Sequence, residues 1–305
     1  MKYASIDIGT NTVLLMVAEI KERIEEIYDT ATITRLGEGL KQTGNLSTEA
    51  MERTLNALRR YRAIADKNQV QDILCVGTAA LREAKNRDAF LELVNKELSF
   101  PIRVISEHDE AFYTYLSVRQ NLTDETESVI IIDIGGGSTE IIYGNRENFI
   151  DFISLPVGSV KLTEMFIQHD PPLDDEIRLL RDFLKSILKL PFGKGIQSVV
   201  GTAGTVTTLG SIAIGLCQWD KKQIHGLRLS LQRIDDVVHQ LANMPLCERN
   251  SLPGMEKGRE DIILQGIILL QEIVRYLGAE ELVIDANGVR HGVLCERLTL
   301  LNANA

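Results

Sequence analysis

The sequence predicts a mixed α/β chain built as two related domains, each a mixed sheet flanked by helices. Three observations predict it. At 305 residues the chain is longer than one hydrophobic core usually organises. Two apolar strands end in the same Asp-Ile-Gly triplet, Ser5-Ile6-Asp7-Ile8-Gly9-Thr10 and Ile131-Ile132-Asp133-Ile134-Gly135-Gly136, 126 residues apart; Val76-Gly77-Thr78-Ala79 recurs as Val200-Gly201-Thr202-Ala203 at an offset of 124. Two matches at nearly one spacing mark a duplicated unit. Strand and helix patterns also alternate within each half, as they do when helices pack on a sheet.

Each Asp-Ile-Gly strand runs into Gly- and Thr-rich turn residues and then a second apolar stretch, 13–20 and 139–143, which reads as a hairpin with a polar tip. Between the repeats a helix begins near Ser47 with Met51, Leu55, Leu58 and Ala65 on one face, followed by a strand over 72–76. A second helix covers 87–98. The strand 102–105 leads into a helix opened by Ser106 as N-cap, with Asp109 three residues on, a capping-box-like pattern. The polar run 121–128 is the linker candidate. It divides the chain into a first domain, 1–124, and a second, 125–305, whose last helix is free to return to the first.

Composition narrows the function. With 44% hydrophobic and 25% charged residues and no low-complexity tract, this is an ordinary globular protein. An acid, Asp7, interrupts the first apolar run, which argues against an export signal. The most apolar later stretches, 129–132 and 262–270, are shorter than the ~20 residues that span a bilayer, so no membrane role and a cytoplasmic location are expected. The net charge of −10 argues against nucleic-acid binding. An anionic substrate would then need a metal ion or backbone amides. Cys75, Cys217, Cys247 and Cys295 form no C-x-x-C pair and are read as small buried hydrophobes.

The strongest motif for chemistry is Asp133-Ile134-Gly135-Gly136-Gly137-Ser138-Thr139-Glu140. Three glycines at a strand tip let the backbone approach a ligand and aim its amides at an anion, with hydroxyls from Ser138 and Thr139. In a hairpin Asp133 and Glu140 return to one end of the sheet as hard oxygen ligands for Mg²⁺; the bland alternative is a flexible, capped turn. The N-terminal copy offers Thr10, Asn11 and Thr12 as polar phosphate contacts, with Asp7 on metal-bound water. Gly77-Thr78-Ala79-Ala80-Leu81-Arg82 is a small-residue loop opening a helix, with Arg82 as a planar donor fork for phosphate. Its second copy, with Gly204 and Thr205, reads equally as an anion site or a plain strand-to-helix turn. Glu107, Asp109 and Glu110 fall in a first helical turn, where acids are favoured with no function required.

Taken together, Asp7-Ile8-Gly9, the stretch from Gly77 through Arg82-Glu83-Ala84, the Asp133 to Glu140 loop and Gly201-Thr202-Ala203-Gly204-Thr205 resemble the Ppx/GppA phosphatases, the exopolyphosphatases and guanosine pentaphosphate phosphohydrolases. Ile224-His225-Gly226, Leu252-Pro253-Gly254 with Arg259-Glu260-Asp261, and Ser106-Glu107-His108-Asp109-Glu110-Ala111 add to it. The last of these is similar to the family's Ser-Gly-x-Glu-Glu-Ala, with Glu107 and Asp109 departing from it. The match spans nearly the whole chain and fits the short, two-domain form.

The resemblance implies two duplicated ribonuclease H-like domains of the actin-like ATPase superfamily with an interdomain cleft. It implies that Glu110 prepares the attacking water, that Asp133 and Glu140 hold the divalent cation, and that Thr10, Asn11, Thr78, Arg82, Gly136, Gly137 and Ser138 surround the terminal phosphates. His225, Arg259 and Arg290 match positions of open role. The closing run from Asp285 to Gly292 resembles the family's Asp-x-Gly-x-Arg-x-Gly with one residue inserted. The expected activity is hydrolysis of the terminal phosphate of polyphosphate or guanosine pentaphosphate. Lys221, Lys222, His225 and Arg228 are a candidate basic track or merely a solvated face. A superfamily kinase and a non-catalytic nucleotide-binding module are the alternatives, and a homodimer that lengthens the cleft is compatible with the reading.

Overall fold

The computed structural model describes residues 1–123, 126–192, 196 and 198–303, which form two compact units. The first contains Met1–Ser117 and Asn287–Ala305. Its strands are β1 Lys2–Ile8, β2 Thr12–Ile20, β3 Ile24–Ile33, β4 Asp72–Gly77 and β5 Ile102–Val104. They pair in the order β3-β2-β1-β4-β5, with β1 antiparallel to β2 and parallel to β4. The intervening helices are α1 Leu40–Thr43, α2 Thr48–Lys67, α3 Ala79–Glu83, α4 Arg87–Leu98 and α5 Glu107–Arg119. Ser47 caps α2 as its spacing predicts, its hydroxyl accepting from the Ala50 amide at 3.1 Å.

The second unit is Val118–Ala286. Its strands are β6 Val129–Ile134, β7 Thr139–Gly144, β8 Phe149–Leu155, β9 Ser198–Thr202, β10 Arg228–Ser230 and β11 Glu281–Ile284, in the order β10-β11-β9-β6-β7-β8. Its helices are α6 Ser159–Phe166, α7 Asp174–Ile187, α8 Ala203–Ala213, α9 Lys221–Ile224, α10 Leu231–Ala242, α11 Leu246–Arg249 and α12 Ile263–Leu277. α12 is apolar nearly all round and nearly all buried, as such a helix must be. The last helix, α13 Val289–Ala303, belongs to the first unit.

The duplication read from the sequence is built into both sheets. β6 is antiparallel to β7 and parallel to β9, as β1 is to β2 and β4. The two hairpin tips close with the same bond: the Gly9 amide donates to the Thr12 carbonyl at 3.0 Å, and the Gly135 amide to the Ser138 carbonyl at 3.1 Å. Each repeat also carries a third antiparallel strand, β3 or β8, that the hairpin reading leaves out. Both are edge strands with long exposed or half-buried stretches, so they lack the apolar alternation that announces a strand.

Period-2 alternation places the sheet of the first unit between two cores. Ala4, Ile6, Ile8, Val13, Leu15 and Val17 pack with residues of α2 and α4. Tyr3, Met16, Ala18 and Ile20 pack with Leu294, Leu298 and Leu301 of α13. The side chain of Asp7, two residues after Ser5 and four after Tyr3, therefore projects from the face that α13 covers.

The predicted boundary between 124 and 125 lies outside the described residues. Of the four cysteines, Cys75 and Cys295 are buried but Cys217 and Cys247 are exposed. Cys217 follows the C-terminal turn of α8 and Cys247 lies in the short α11, so neither has a sheet or long helix to cover it. No helix among the described residues is long and apolar enough to cross a membrane.

Candidate active site

In the first unit the parallel pairing of β1 with β4 brings two sequence-distant turns to one edge of the sheet. Thr10 and Asn11 sit at the β1–β2 tip. Thr78 follows β4, and its amide donates to the Ile8 carbonyl at 3.1 Å. All three are buried. The Thr10 carbonyl accepts from the Gly37 amide at 2.9 Å, and a Cβ on Gly37 would lie 2.3 Å from Thr10 Cγ2. A side chain at 37 would therefore displace the Thr10 methyl. The Asn11 side-chain amide donates to Thr12 Oγ1 at 3.3 Å.

Arg82 lies on α3 and Glu110 on α5, and the fold joins them. Arg82 Nη1 donates to Glu110 Oε2 at 2.5 Å and to the Ile105 carbonyl at 3.2 Å. The side chains are 16% and 10% exposed. Sequence reasoning gives these residues separate tasks, phosphate binding and water activation, and does not foresee the contact. Ser106 caps α5 as expected, its hydroxyl accepting from the Asp109 amide at 3.1 Å. Glu107 and Asp109 are more exposed than Glu110, which is buried; the three acids of that helical turn are therefore not equivalent.

The Asp7 charge acts on two further groups. Burial, and then the Asp7 charge, push the Cys75 thiol well above its ordinary range. The buried guanidinium of Arg290, on α13, forks onto Asp29 of β3 with bonds of 3.0 and 2.8 Å and donates to the Asn287 carbonyl at 2.7 Å. Burial works against its charge; Asp29 first, then Asp7 and Glu26, outweigh burial and raise its pKa. The open role of Arg290 thereby acquires a structural content: it ties the start of α13 to β3.

In the second unit Asp133 and Glu140 stand directly opposite one another across the β6–β7 ladder. Both are buried, at 6% and 1% exposure. Opposed residues have Cβ atoms about 5 Å apart on one face of the sheet. Glu140 Oε1 accepts from Ser154 Oγ at 3.0 Å. The glycine loop between them is held from one side by α6. The amides of Ser159 and Val160 donate to the Gly135 and Gly136 carbonyls, each at 3.0 Å, and Lys161 adds a 3.3 Å bond to Gly136. In a trans peptide the N–H is opposed to the C=O, so the Gly136 and Gly137 amides point away from α6. A Cβ on Gly158 would meet the Gly135 carbonyl oxygen at 2.4 Å, and only glycine allows α6 this approach. Ser138 is buried at the end of the loop.

The second copy of the Gly-Thr-Ala loop differs. Ala203 has φ 68°, a strained conformation for a residue with a Cβ. A Cβ on Gly204 would lie 2.0 Å from the Arg259 guanidinium. Thr205 is buried against Gly266 of α12. Thr202 Oγ1 is buried without a hydrogen-bond partner. Sequence reasoning saw Gly204 and Thr205 but not that Arg259 covers them; the Arg259-Glu260-Asp261 match pointed to that residue without its location.

The sequence profile of the Ppx/GppA phosphatase family matches residues 16–301. The chain belongs to that family. A bifunctional 3-dehydroquinate synthase/phosphatase of Fusobacterium nucleatum subsp. nucleatum is 34% identical over 96% of this chain, which spans only 46% of that protein. Exopolyphosphatase 2 of Mycobacterium tuberculosis is 30% identical, covering 96% of this chain and 97% of its own. The crystal structure of the Aquifex aeolicus Ppx/GppA family member superposes with a TM-score of 0.85 at 34% identity, over 99% of both chains. These matches confirm the expected two-sheet α/β fold and place the chain among hydrolases of phosphoanhydride bonds.

For this Ppx/GppA chain the metal expectation can be tested on the donor set. Among the described residues no three His, Cys, Asp or Glu side chains gather as a cage. Two opposed carboxylates do fit Mg²⁺, which keeps several waters and takes one or two carboxylates together with substrate phosphate. Asp7 belongs to the first unit and Asp133 and Glu140 to the second. The remaining motif residues are tied into structure. Asp285 Oδ2 accepts from Asn121 Nδ2 at 2.8 Å, and the Ala286 amide donates to His225 Nδ1 at 3.3 Å. Arg228, in the candidate basic track, pairs with Glu281.

Proposed function

We propose that this chain is an exopolyphosphatase-type phosphohydrolase that releases the terminal phosphate of inorganic polyphosphate, with guanosine pentaphosphate as a second substrate. One observation carries the reading: the glycine loop whose carbonyls are taken up by α6, so that its amides are turned outward, between two buried and opposed carboxylates. That is the arrangement expected of a phosphate and cation site. The match to Exopolyphosphatase 2 over 97% of its length supports polyphosphate as the substrate class.

In this reading Asp133 and Glu140 hold Mg²⁺, which supplies charge neutralisation at the phosphate oxygens when bound, and Asp7 orients water. The phosphate donors of the second unit are Gly136, Gly137 and Ser138, with Gly204 and Thr205; those of the first unit are Thr10, Asn11 and Thr78. Glu110 is the general base. Its carboxylate takes a proton from water. The water oxygen bonds to the terminal phosphorus as the bridging P–O bond breaks, giving orthophosphate and a chain one unit shorter. Arg82, fixed by Glu110, places its remaining N–H donors on the equatorial oxygens.

The test is phosphate release from polyphosphate with no acceptor present. A superfamily kinase or a binding module would release little. Glu110→Gln is expected to lower kcat by about 10²–10⁴-fold with KM within about twofold, because the amide is isosteric but accepts no proton. Unchanged kcat would remove Glu110 from the role of base, and competition between polyphosphate and guanosine pentaphosphate in one assay ranks the two substrates.

A further inference from the structure

Glu110, Tyr113 and Ser117 lie at i, i+3 and i+7 along α5, one stripe of that helix. α13 grips this stripe at three points. Gly292 lies so close that a Cβ there would meet the Tyr113 carbonyl oxygen at 1.8 Å. The Tyr113 hydroxyl donates to Glu296 Oε2 at 2.9 Å, and Ser117 Oγ lies 3.4 Å from His291 Nδ1. Arg103, on β5, adds a fourth fix: it donates to the Tyr113 hydroxyl and lies over the ring at 5.4 Å. Tyr113 is 2% exposed, so its hydroxyl has protein partners on two elements.

We propose that Tyr113 and Gly292 are positioning residues for the Glu110 carboxylate: α13 and β5, acting through the Tyr113 hydroxyl and the glycine seat, set the axial and rotational position of α5. The proposal rests on the reading of Glu110 as general base. Its physical basis is the steep cost of misplacement, since a shift of about 1 Å in a reacting group can lower rate about 10²-fold. The first turn of α5 is held as well by its Ser106 cap and by the Arg82 pair. A hydroxyl bonded to both Arg103 and Glu296 resists sliding of α5 against either element, which an apolar contact would permit.

Tyr113→Phe is the informative variant, because it keeps the ring under Arg103 and removes only the hydroxyl. The expected result is a fall in kcat of about tenfold with KM within about twofold, and no further fall when the change is made in Glu110→Gln. Equal fractional losses in both backgrounds would mean that Tyr113 acts on something other than the base, and a wild-type kcat would mean that it positions nothing. A companion pair removes dependence on any one fold: Glu296→Leu is expected to lose kcat as Tyr113→Phe does, and Glu296→Gln, which keeps an oxygen acceptor for the phenol, to regain it. Equal kcat in these two would overturn the relay. If Glu110→Gln itself retains full turnover, it is the base assignment that has failed, and the coupling test identifies that case separately.

Discussion

Arg82 and Glu110 are 28 positions apart in the chain, and the contact between them exists only because β4 and β5 are adjacent and parallel, so that the turns after both strands open on the same edge. The sequence supplies the residue types; the pairing is a property of the sheet. Arg290 is the same kind of case. Its motif match gives no role, and the buried fork onto Asp29 gives it one. Removing one partner of a buried pair leaves the other charge uncompensated, at a cost of about 3–5 kcal/mol. Arg290→Leu is therefore expected to lower the unfolding free energy by about that amount, measured by denaturant titration, and Asp29→Asn in the same background to recover part of it. An Arg290→Leu protein as stable as the parent would place the pair among surface contacts of no consequence. Gly292 closes the Asp-x-Gly-x-Arg-x-Gly run and Gly158 belongs to no motif, yet both are required because backbone approaches them in three dimensions, and no local pattern reports that.

At the scale of elements, the loop from Gly135 to Ser138 and the start of α6 form one device. The loop carbonyls satisfy amides of the first turn of α6, which otherwise lack partners within the helix, and the same bonds fix which way the loop amides face. Gly158→Ala would force a methyl against the Gly135 carbonyl. Overpacking of this kind costs about 1–3 kcal/mol, and the loop is the softer partner. The expected outcome is a KM for polyphosphate raised about tenfold or more, as loss of a hydrogen bond to a charged group of about 1.5–3 kcal/mol implies, with a smaller change in kcat. Steady-state kinetics with a melting curve as control check it; an unchanged KM would separate the loop from phosphate binding. Helices were the most legible elements. The helix expected over 87–98 is observed as α4, and Ser47 and Ser106 cap the helices that follow them, as expected. β3 and β8 escaped because nearly all their residues are exposed or half-buried on both faces, which leaves no alternation to read.

At the scale of the molecule, the first unit is discontinuous: its sheet needs a helix encoded after the whole of the second unit. Leu294 is 0% exposed and packs on Tyr3, Met16, Ala18 and Ile20, and a fully buried leucine contributes about 1.5–3 kcal/mol. A chain ending at Ala286 is expected to lose hydrogen-exchange protection in β1 and β2 while keeping it in β6 and β9. Equal protection in β1 and β2 of the full and shortened chains would show that α13 is dispensable to that sheet. The prediction follows from topology and not from helix propensity: Leu294, Leu298 and Leu301 of α13 meet the sheet, whereas Leu300 on the same helix is exposed.

Alone, the sequence determined the duplicated architecture, the hairpin tips, the major helices and the family, because these rest on local periodicity, turn chemistry and motifs that survive without neighbours. It also named the carboxylates and the glycine loop. The tertiary structure decided which of the three acids in the first turn of α5 is buried against an arginine, which way the glycine amides face, what covers Gly204, and that α13 seats the helix bearing Glu110. Those are facts about close approach between segments far apart in the chain. A one-dimensional pattern records which side chains are available, whereas burial, charge pairing and backbone direction are set only when the sheets bring distant turns together.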